Sequence, residues 1–275
     1  MTSLSRILQK FLGTGVRRGD PRSLPIELSI EGFDTVYAIG DVHGCLEILQ
    51  GLEQKIETTE QSGKGSKAAI LYLGDLIDRG PKSAHVLDYV TGQRDGLPRL
   101  ALRGNHEELF LRFLGEPQDH LDWLDFGGLE TLNSYGIYKP RRYFKSARPS
   151  ELRALLDASI PAAHKNFLSG LPHFAQSGNF LFCHAGVNPT RSINEQTAED
   201  FMWARERFIS HIGGFEVRIV HGHTPQDKAT EKDGRIGLDT GAYYSGILSC
   251  ARVDLSQQDV SFFSFNSSDK LVGDI

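Results

Sequence analysis

From residue 34 onward, short apolar runs alternate with polar, glycine-bearing loops and amphipathic stretches. Thr35-Val-Tyr-Ala-Ile39, Ala68-Ala-Ile-Leu-Tyr-Leu73 and Arg99-Leu-Ala-Leu102 each predict a strand. Between the first two, Leu46, Ile48, Leu49, Leu52 and Ile56 fall on one side of a helix expected from Cys45 to about Thr59. Pro81 suits the first turn of a second helix, which carries Val86, Leu87 and Val90. Residues 107–172 read as mostly helical, with loops around Gly115-Glu-Pro117 and from Tyr138 to Pro149. The chain then returns to strands. Phe174-Ala-Gln-Ser177 and Asn179-Phe-Leu-Phe-Cys183 flank a glycine turn and predict a hairpin. A helix near Ala198 to Ile209 follows, then strands over Val217–Val220, Arg235–Leu238, Ile247–Val253 and Val260–Phe265. The pattern is α/β, with more antiparallel-type strands in the second half.

Residues 1–30 read as a lead-in to a single domain over 31–275. Ile7, Leu8, Phe11 and Leu12 have helical spacing, which Arg17, Arg18, Pro21 and Pro25 then break. The apolar stripe covers under two turns, so a frayed tail or a helix packed on the domain is favoured over a membrane- or partner-binding element.

Composition narrows the class. Of 275 residues, 39% are apolar and 24% charged, which argues against disorder and against a disulfide-rich scaffold. The formal charge of −5 gives no general attraction to nucleic acid, so any anionic ligand must be held by local charge. Three scattered cysteines, Cys45, Cys183 and Cys250, suit a reducing compartment. No apolar run approaches the length of a membrane span, and the first residues lack a signal-peptide core. A cytoplasmic monomer with no integral membrane association is expected.

The candidate chemistry sits where the predicted strands end. Asp41, His43, Asp75, Asn105, His184 and His223 each lie in a short glycine-bearing loop just after an apolar run. Open α/β sheets place ligands beyond the carboxyl ends of their strands. Carboxylate, imidazole and amide oxygen together suit Mn²⁺, Fe or Zn²⁺ better than Ca²⁺ or a thiolate site. One such histidine alone would read as a surface or hydrogen-bonded core residue; the set reads as a metal site.

Gly40-Asp-Val-His-Gly44, Gly74-Asp-Leu-Ile-Asp-Arg-Gly80 and Gly104-Asn-His-Glu107 follow one another at intervals of roughly thirty residues. They resemble the three-part signature of the phosphoprotein phosphatase (PPP) family of metallophosphoesterases. The likeness continues in Cys183-His-Ala-Gly186, Trp203-Ala-Arg-Glu-Arg207, Gly222-His-Thr-Pro225 and Asp239-Thr-Gly-Ala242, and it is nearest to the bacterial and phage branch. The resemblance implies a calcineurin-like four-layer sandwich, with two mixed β-sheets flanked by helices. It also implies two divalent ions, Mn²⁺ first, with Fe or Zn²⁺ as alternatives. Asp41, His43 and Asp75 would hold one ion; Asp75, Asn105, His184 and His223 would hold the other, with Asp75 shared. Two ions carry +4 and two aspartates −2, leaving +2 to face a hydroxide and a phosphate.

By the same resemblance, Arg79 and Arg205 clamp phosphate, since a guanidinium matches two phosphate oxygens at once. Asp78 would orient His106 and favour its protonated form, a general acid for the leaving oxygen. Asn105 and Tyr244 would also face substrate, with simple packing the alternative for the tyrosine. His221 reads as structural, and Cys45 and Cys183 as packing residues. The basic run Lys139-Pro-Arg-Arg-Tyr-Phe-Lys145 reads as a solvated loop before a substrate-binding lip. The expected activity is hydrolysis of phosphomonoesters by a hydroxide shared between two metals, on phosphoserine or phosphothreonine in a protein or peptide. The alternative is a symmetrical diadenosine tetraphosphate hydrolase. A non-catalytic phosphate-binding protein is disfavoured because every ligand and clamp residue is retained.

Overall fold

A computed structural model of the chain describes residues 24–61 and 67–268. Eleven strands are found among these residues: β1 (Glu27–Leu28), β2 (Thr35–Ile39), β3 (Ala68–Tyr72), β4 (Arg99–Ala101), β5 (Phe174–Ser177), β6 (Phe180–Cys183), β7 (Arg218–His221), β8 (Thr230–Lys232), β9 (Arg235–Gly237), β10 (Ile247–Asp254) and β11 (Asp259–Asn266). One sheet has the order β11-β10-β2-β3-β4 and the other β1-β5-β6-β7-β9-β8. Both are mixed. β2, β3 and β4 run parallel to one another, as do β6, β7 and β9. The pairs β2–β10, β10–β11, β5–β6 and β8–β9 are antiparallel.

The near-continuous apolar runs follow from burial on both faces. Along β2, Val36 and Ala38 join a cluster with Phe180 and Phe182 of β6, Val220 and Ile236, which is the packing between the sheets. Alternate residues point the other way. Tyr37 and Ile39 pack against the helix Leu46–Gln61 through Leu49, Leu52 and Ile56. On the opposite sheet Leu181, Cys183 and Ile219 pack outward on Phe201 and Phe208. The result is the expected four layers: helices, sheet, sheet, helix. The helical segment covers the β2–β3–β4 sheet, where Phe110, Phe113 and Trp123 stack in its core.

Several elements depart from expectation. The helix predicted over Ala198–Ile209 is two short ones, Ala198–Trp203 and Glu206–Ile209, interrupted at Ala204-Arg205, where Arg205 has φ −141° and ψ −126°. Part of the basic run is a short helix, Arg141–Ser146, because Phe144 is fully buried and pins it. β1 falls inside the lead-in: it pairs with β5, and Leu28 and Ile30 are buried. The apolar stripe at Ile7–Leu12 lies outside the described residues.

Parallel strands deliver their carboxyl ends to a common edge. The loops after β2, β3, β4, β6, β7 and β9 therefore carry Asp41 and His43, Asp75, Asn105 and His106, His184, His223, and Asp239 to one place.

Candidate active site

Asp75 is the hub. It is 1% exposed, and its Oδ2 lies 3.4 Å from His184 Nε2, 3.7 Å from His43 Nε2 and 3.8 Å from His106 Nε2. Two donor groups share it: His43, Asp75 and His106 on one side, and Asp75, His184 and His223 on the other. Within each, the potential ligand atoms lie within 4.8 Å of one another. Asn105 joins the second group, its Oδ1 2.9 Å from His184 Nε2.

The local backbone is built for this convergence. Of the seven non-glycine residues with positive φ among the described residues, five are His43, Asp75, Asp78, Arg79 and His223. Such backbone strain tends to concentrate at functional sites. Gly74 has φ +103°, and a Cβ there would sit 2.5 Å from Gly104 N, so glycine lets the β3 and β4 loops touch. Glu107, fully buried, binds these loops together. Its carboxylate accepts from the N–H groups of Asp75 (2.8 Å), Leu76 (2.8 Å) and Gly104 (2.9 Å). Burial, with the nearby Asp75 charge, pushes its carboxyl up to about 7.

The imidazoles are set to act as ligands. His43 Nδ1 faces Ile77 O at 2.8 Å and His184 Nδ1 faces Leu73 O at 3.0 Å. A proton held on Nδ1 by each carbonyl leaves Nε2 as a lone pair aimed into the site, as metal-binding histidines require. Burial, followed by neighbouring cationic groups, drives His43 and His184 well below the ordinary imidazole range. His223 falls to about 3, for burial and then for Arg205. His184 Nε2 faces Asn105 Oδ1 at 2.9 Å and Asp75 Oδ2 at 3.4 Å. Acceptors facing acceptors repel one another, and a cation among them converts that repulsion into ligation. The donor set thus fits a divalent metal.

Asp41 is brought to the same edge, but its oxygens are turned to His223 N–H, at 3.0 and 3.1 Å, and it lies outside both converging groups. Burial, then Asp239 and Asp75, hold its carboxyl well above the ordinary range. Asp239 is raised to about 6, chiefly by burial. Several buried acids thus crowd one pole of the site.

Asp78 and His106 form the expected pair, with Oδ2 2.7 Å from Nδ1. Trp123 Nε1 donates to the same oxygen at 2.7 Å and Thr131 Oγ1 to the other at 2.5 Å. Burial alone would lower the His106 imidazole; the Asp75 charge and the Asp78 hydrogen bond outweigh it and raise its pKa. The arginines meet the lone pairs. Arg79 Nη1 is 2.9 Å from His43 Nε2 and its Nη2 is 3.2 Å from His106 Nε2, while Arg205 Nε donates to His223 Nε2 at 3.1 Å.

The tyrosine ring that meets this cluster belongs to Tyr243. It lies edge-on to His43 at 5.6 Å, with the Arg79 guanidinium 5.1 Å from its centre. Tyr244 is 61% exposed and packs edge-on against Tyr243. His221 stands apart, its ring against Phe208 and its Nδ1 facing Gly222 O. Burial lifts the thiols of Cys45 and Cys183 to about 11 and about 12, which keeps both unreactive. Sequence reasoning passed over Trp123, Thr131 and Tyr243, and gave no role to Glu107 and Asp239 although both stand in the motifs. Glu107 had a signal, an acid at the third position of a helix opening at Gly104-Asn105.

The calcineurin-like phosphoesterase profile matches residues 35–252. The chain belongs to the calcineurin-like phosphoesterase family. It is therefore a metallophosphoesterase, a hydrolase of a family that uses divalent metal. Serine/threonine-protein phosphatase 1 of Salmonella typhimurium is 26% identical over 85% of this chain and 98% of its own length. The asymmetrical bis(5'-nucleosyl)-tetraphosphatase of Bacillus mycoides is 25% identical over 78% of this chain and 88% of its own. Among solved structures, a putative diadenosine tetraphosphatase superposes with a TM-score of 0.60 at 21% identity, covering 90% of this chain and all of that one. A serine/threonine phosphatase from Saccharomyces cerevisiae gives 0.51 at 15%, over 98% and 89%. These structures share the fold. Among the described residues no helix is long and apolar enough to cross a membrane.

Proposed function

We propose that this metallophosphoesterase is a phosphomonoesterase that removes phosphate from serine and threonine side chains of proteins. The observation that carries the reading is the His106–Asp78 pair, 2.7 Å apart and buttressed by Trp123 and Thr131. An alkoxide is a poor leaving group and needs a proton in the transition state; a nucleotide leaving from a phosphoanhydride does not. A buried imidazole whose pKa is raised by Asp75 and Asp78 suits the harder task.

In this reading Asp41, His43 and Asp75 hold one divalent ion and Asp75, Asn105, His184 and His223 the other, with Mn²⁺ the first choice. Ions bound there would supply Lewis acidity and an activated water. Glu107 fixes the loops that carry Asp75 and Asn105. Arg79 and Arg205 turn from the imidazoles to the phosphate oxygens, where a guanidinium makes paired charge-assisted bonds. His106 gives its Nε2 proton to the leaving oxygen while Asp78 steadies Nδ1–H. We take the enzyme to be a cytoplasmic monomer; three buried free cysteines fit a reducing compartment.

A second reading is hydrolysis of dinucleoside tetraphosphates. It is favoured by the Bacillus relative, whose name specifies asymmetrical cleavage rather than the symmetrical cleavage weighed from the sequence. Rates on a phosphoserine peptide and on diadenosine tetraphosphate, at equal concentrations of metal-loaded enzyme, separate the two. A higher kcat/KM on the peptide supports the phosphatase. A clear preference for the dinucleotide overturns it.

A further inference from the structure

Beside Arg79 the surface opens into a cleft of about 450 Å³, walled by Leu124, Phe126, Leu129 and Tyr243. Phe126 is 51% exposed and Tyr243 42%. Packing does not require two aromatic rings at the surface beside the reacting centre, and clustered exposed apolar groups mark binding surfaces. Their positions are tied to the site by direct contacts. Arg79 N donates to Gly127 O at 3.3 Å, which sets the end of the 3₁₀ turn Leu121–Phe126 against the phosphate clamp. Tyr243 meets the same clamp, with the Arg79 guanidinium 5.1 Å from its ring centre. The cleft is at the small end of ligand pockets, enough for one side chain and a piece of backbone.

Charge narrows the occupant. Asp125 and Glu130 also line the cleft, and Asp125 is paired with Arg141 at 2.9 Å. With Asp125 neutralised by Arg141, a polyphosphate chain leaving in this direction would still run past the Glu130 carboxylate, which makes no ion pair among the described residues, whereas an uncharged side chain would not be opposed. The occupant is therefore part of a peptide rather than the remainder of a nucleotide.

We propose that the cleft selects phosphopeptides with an aromatic or bulky aliphatic side chain next to the phosphorylated residue. Arg79 takes the phosphate at one end, and Phe126 and Tyr243 take the neighbouring side chain. The inference rests on the protein phosphatase reading and adds the sequence preference. Filling an apolar pocket beside a reacting centre is worth roughly tenfold or more in specificity, and ring stacking suits such walls.

The test uses metal-loaded full-length enzyme and phosphoserine peptides that differ only in Phe or Ala immediately before or after the phosphoserine. The expected result is a kcat/KM about tenfold higher for a Phe peptide on at least one side, carried mainly by KM. Phe126→Ala should bring the Phe-to-Ala ratio close to one, and Phe126→Leu should keep most of it. Phe126 is largely exposed, so neither change threatens the fold. Equal rates on the two peptides, or a ratio unchanged in Phe126→Ala, would overturn the selectivity and leave the phosphatase reading standing. No turnover of any peptide, with the dinucleotide cleaved, would overturn both.

Discussion

Two buried carboxylates, Glu53 and Asp75, lie within the same half of the molecule and live in opposite surroundings. Glu53 is fully buried, yet donors encircle it. Arg99 Nη2 lies 2.5 Å and Arg94 Nη2 3.0 Å from its Oε2, Tyr89 OH donates to the same oxygen at 3.1 Å, and Tyr72 OH donates to Oε1. Asp75 accepts a backbone N–H from His106 at 3.0 Å, but its other oxygen looks onto the Nε2 lone pairs of His184 and His43 at 3.4 and 3.7 Å. Burial pushes its carboxyl up against the opposing pull of His106. Burying a charge is thus structural where the chain supplies the counter-charge. Where the chain sets acceptors around the carboxylate instead, the arrangement suits a cation.

Substituting the two acids should separate these roles most sharply. Asp75→Asn removes the carboxylate proposed to be shared by two ions and should cost roughly 10³-fold or more in turnover, the equivalent of several kcal/mol of lost charge stabilisation. The urea midpoint of the metal-free protein should not fall, because the variant no longer buries a poorly partnered charge. Glu53→Gln should do the reverse, lowering stability by roughly 3 kcal/mol by stranding Arg99, while the folded fraction keeps its turnover. Loss of stability in Asp75→Asn comparable to that in Glu53→Gln would erase the distinction.

The next effect concerns proton delivery on the Asp75 side. His106→Asn should slow hydrolysis of a phosphoserine peptide by roughly 10²–10⁴. It should slow p-nitrophenyl phosphate clearly less, since that leaving group is already a stable phenolate. Equal losses with metal content intact would remove His106 from the acid role. The clamp comes third. Arg79→Ala and Arg205→Ala should each weaken competitive inhibition by inorganic phosphate by roughly ten- to a hundredfold, the worth of a charged hydrogen bond. Unchanged inhibition constants would place the phosphate elsewhere.

The smallest effect contrasts the metal edge with the docking of β1. His173 accepts Ile26 N–H on Nδ1 at 3.0 Å, and burial followed by the Arg103 charge lowers its pKa to about 4. The unfolded imidazole, near 6.5, binds a proton that the folded one refuses. Stability should therefore be lost as pH falls from about 6.5 toward about 4, on the order of 2 kcal/mol by pH 5. Urea unfolding of metal-free wild type and His173→Asn at pH 7 and 5 checks this; an equal pH dependence in both would exclude His173 as the source.

Much of this was legible because chemistry and topology coincide. Apolar runs such as Thr35–Ile39 are strands, and the polar residue just past each parallel strand reaches the common edge. Other features left no local signal. β1 is two residues long and exists only because β5 offers an edge. The break at Arg205 interrupts a sequence whose helical spacing continues. Tyr243 and Tyr244 are neighbours on a four-residue helix, and which ring faces His43 depends on tertiary packing. Trp123 and Thr131 meet Asp78 across 45 and 53 residues of chain, a distance no motif spans.

The central claim is that the acceptor-rich edge around Asp75 holds two catalytic ions. Metal content per chain, measured alongside phosphatase activity as Mn²⁺ is returned to chelator-treated enzyme, tests it most directly. Two ions per wild-type chain are expected, with activity rising as the second is taken up and with Asp75→Asn retaining at most one. Full activity in metal-free enzyme, or two ions retained by Asp75→Asn, would contradict it.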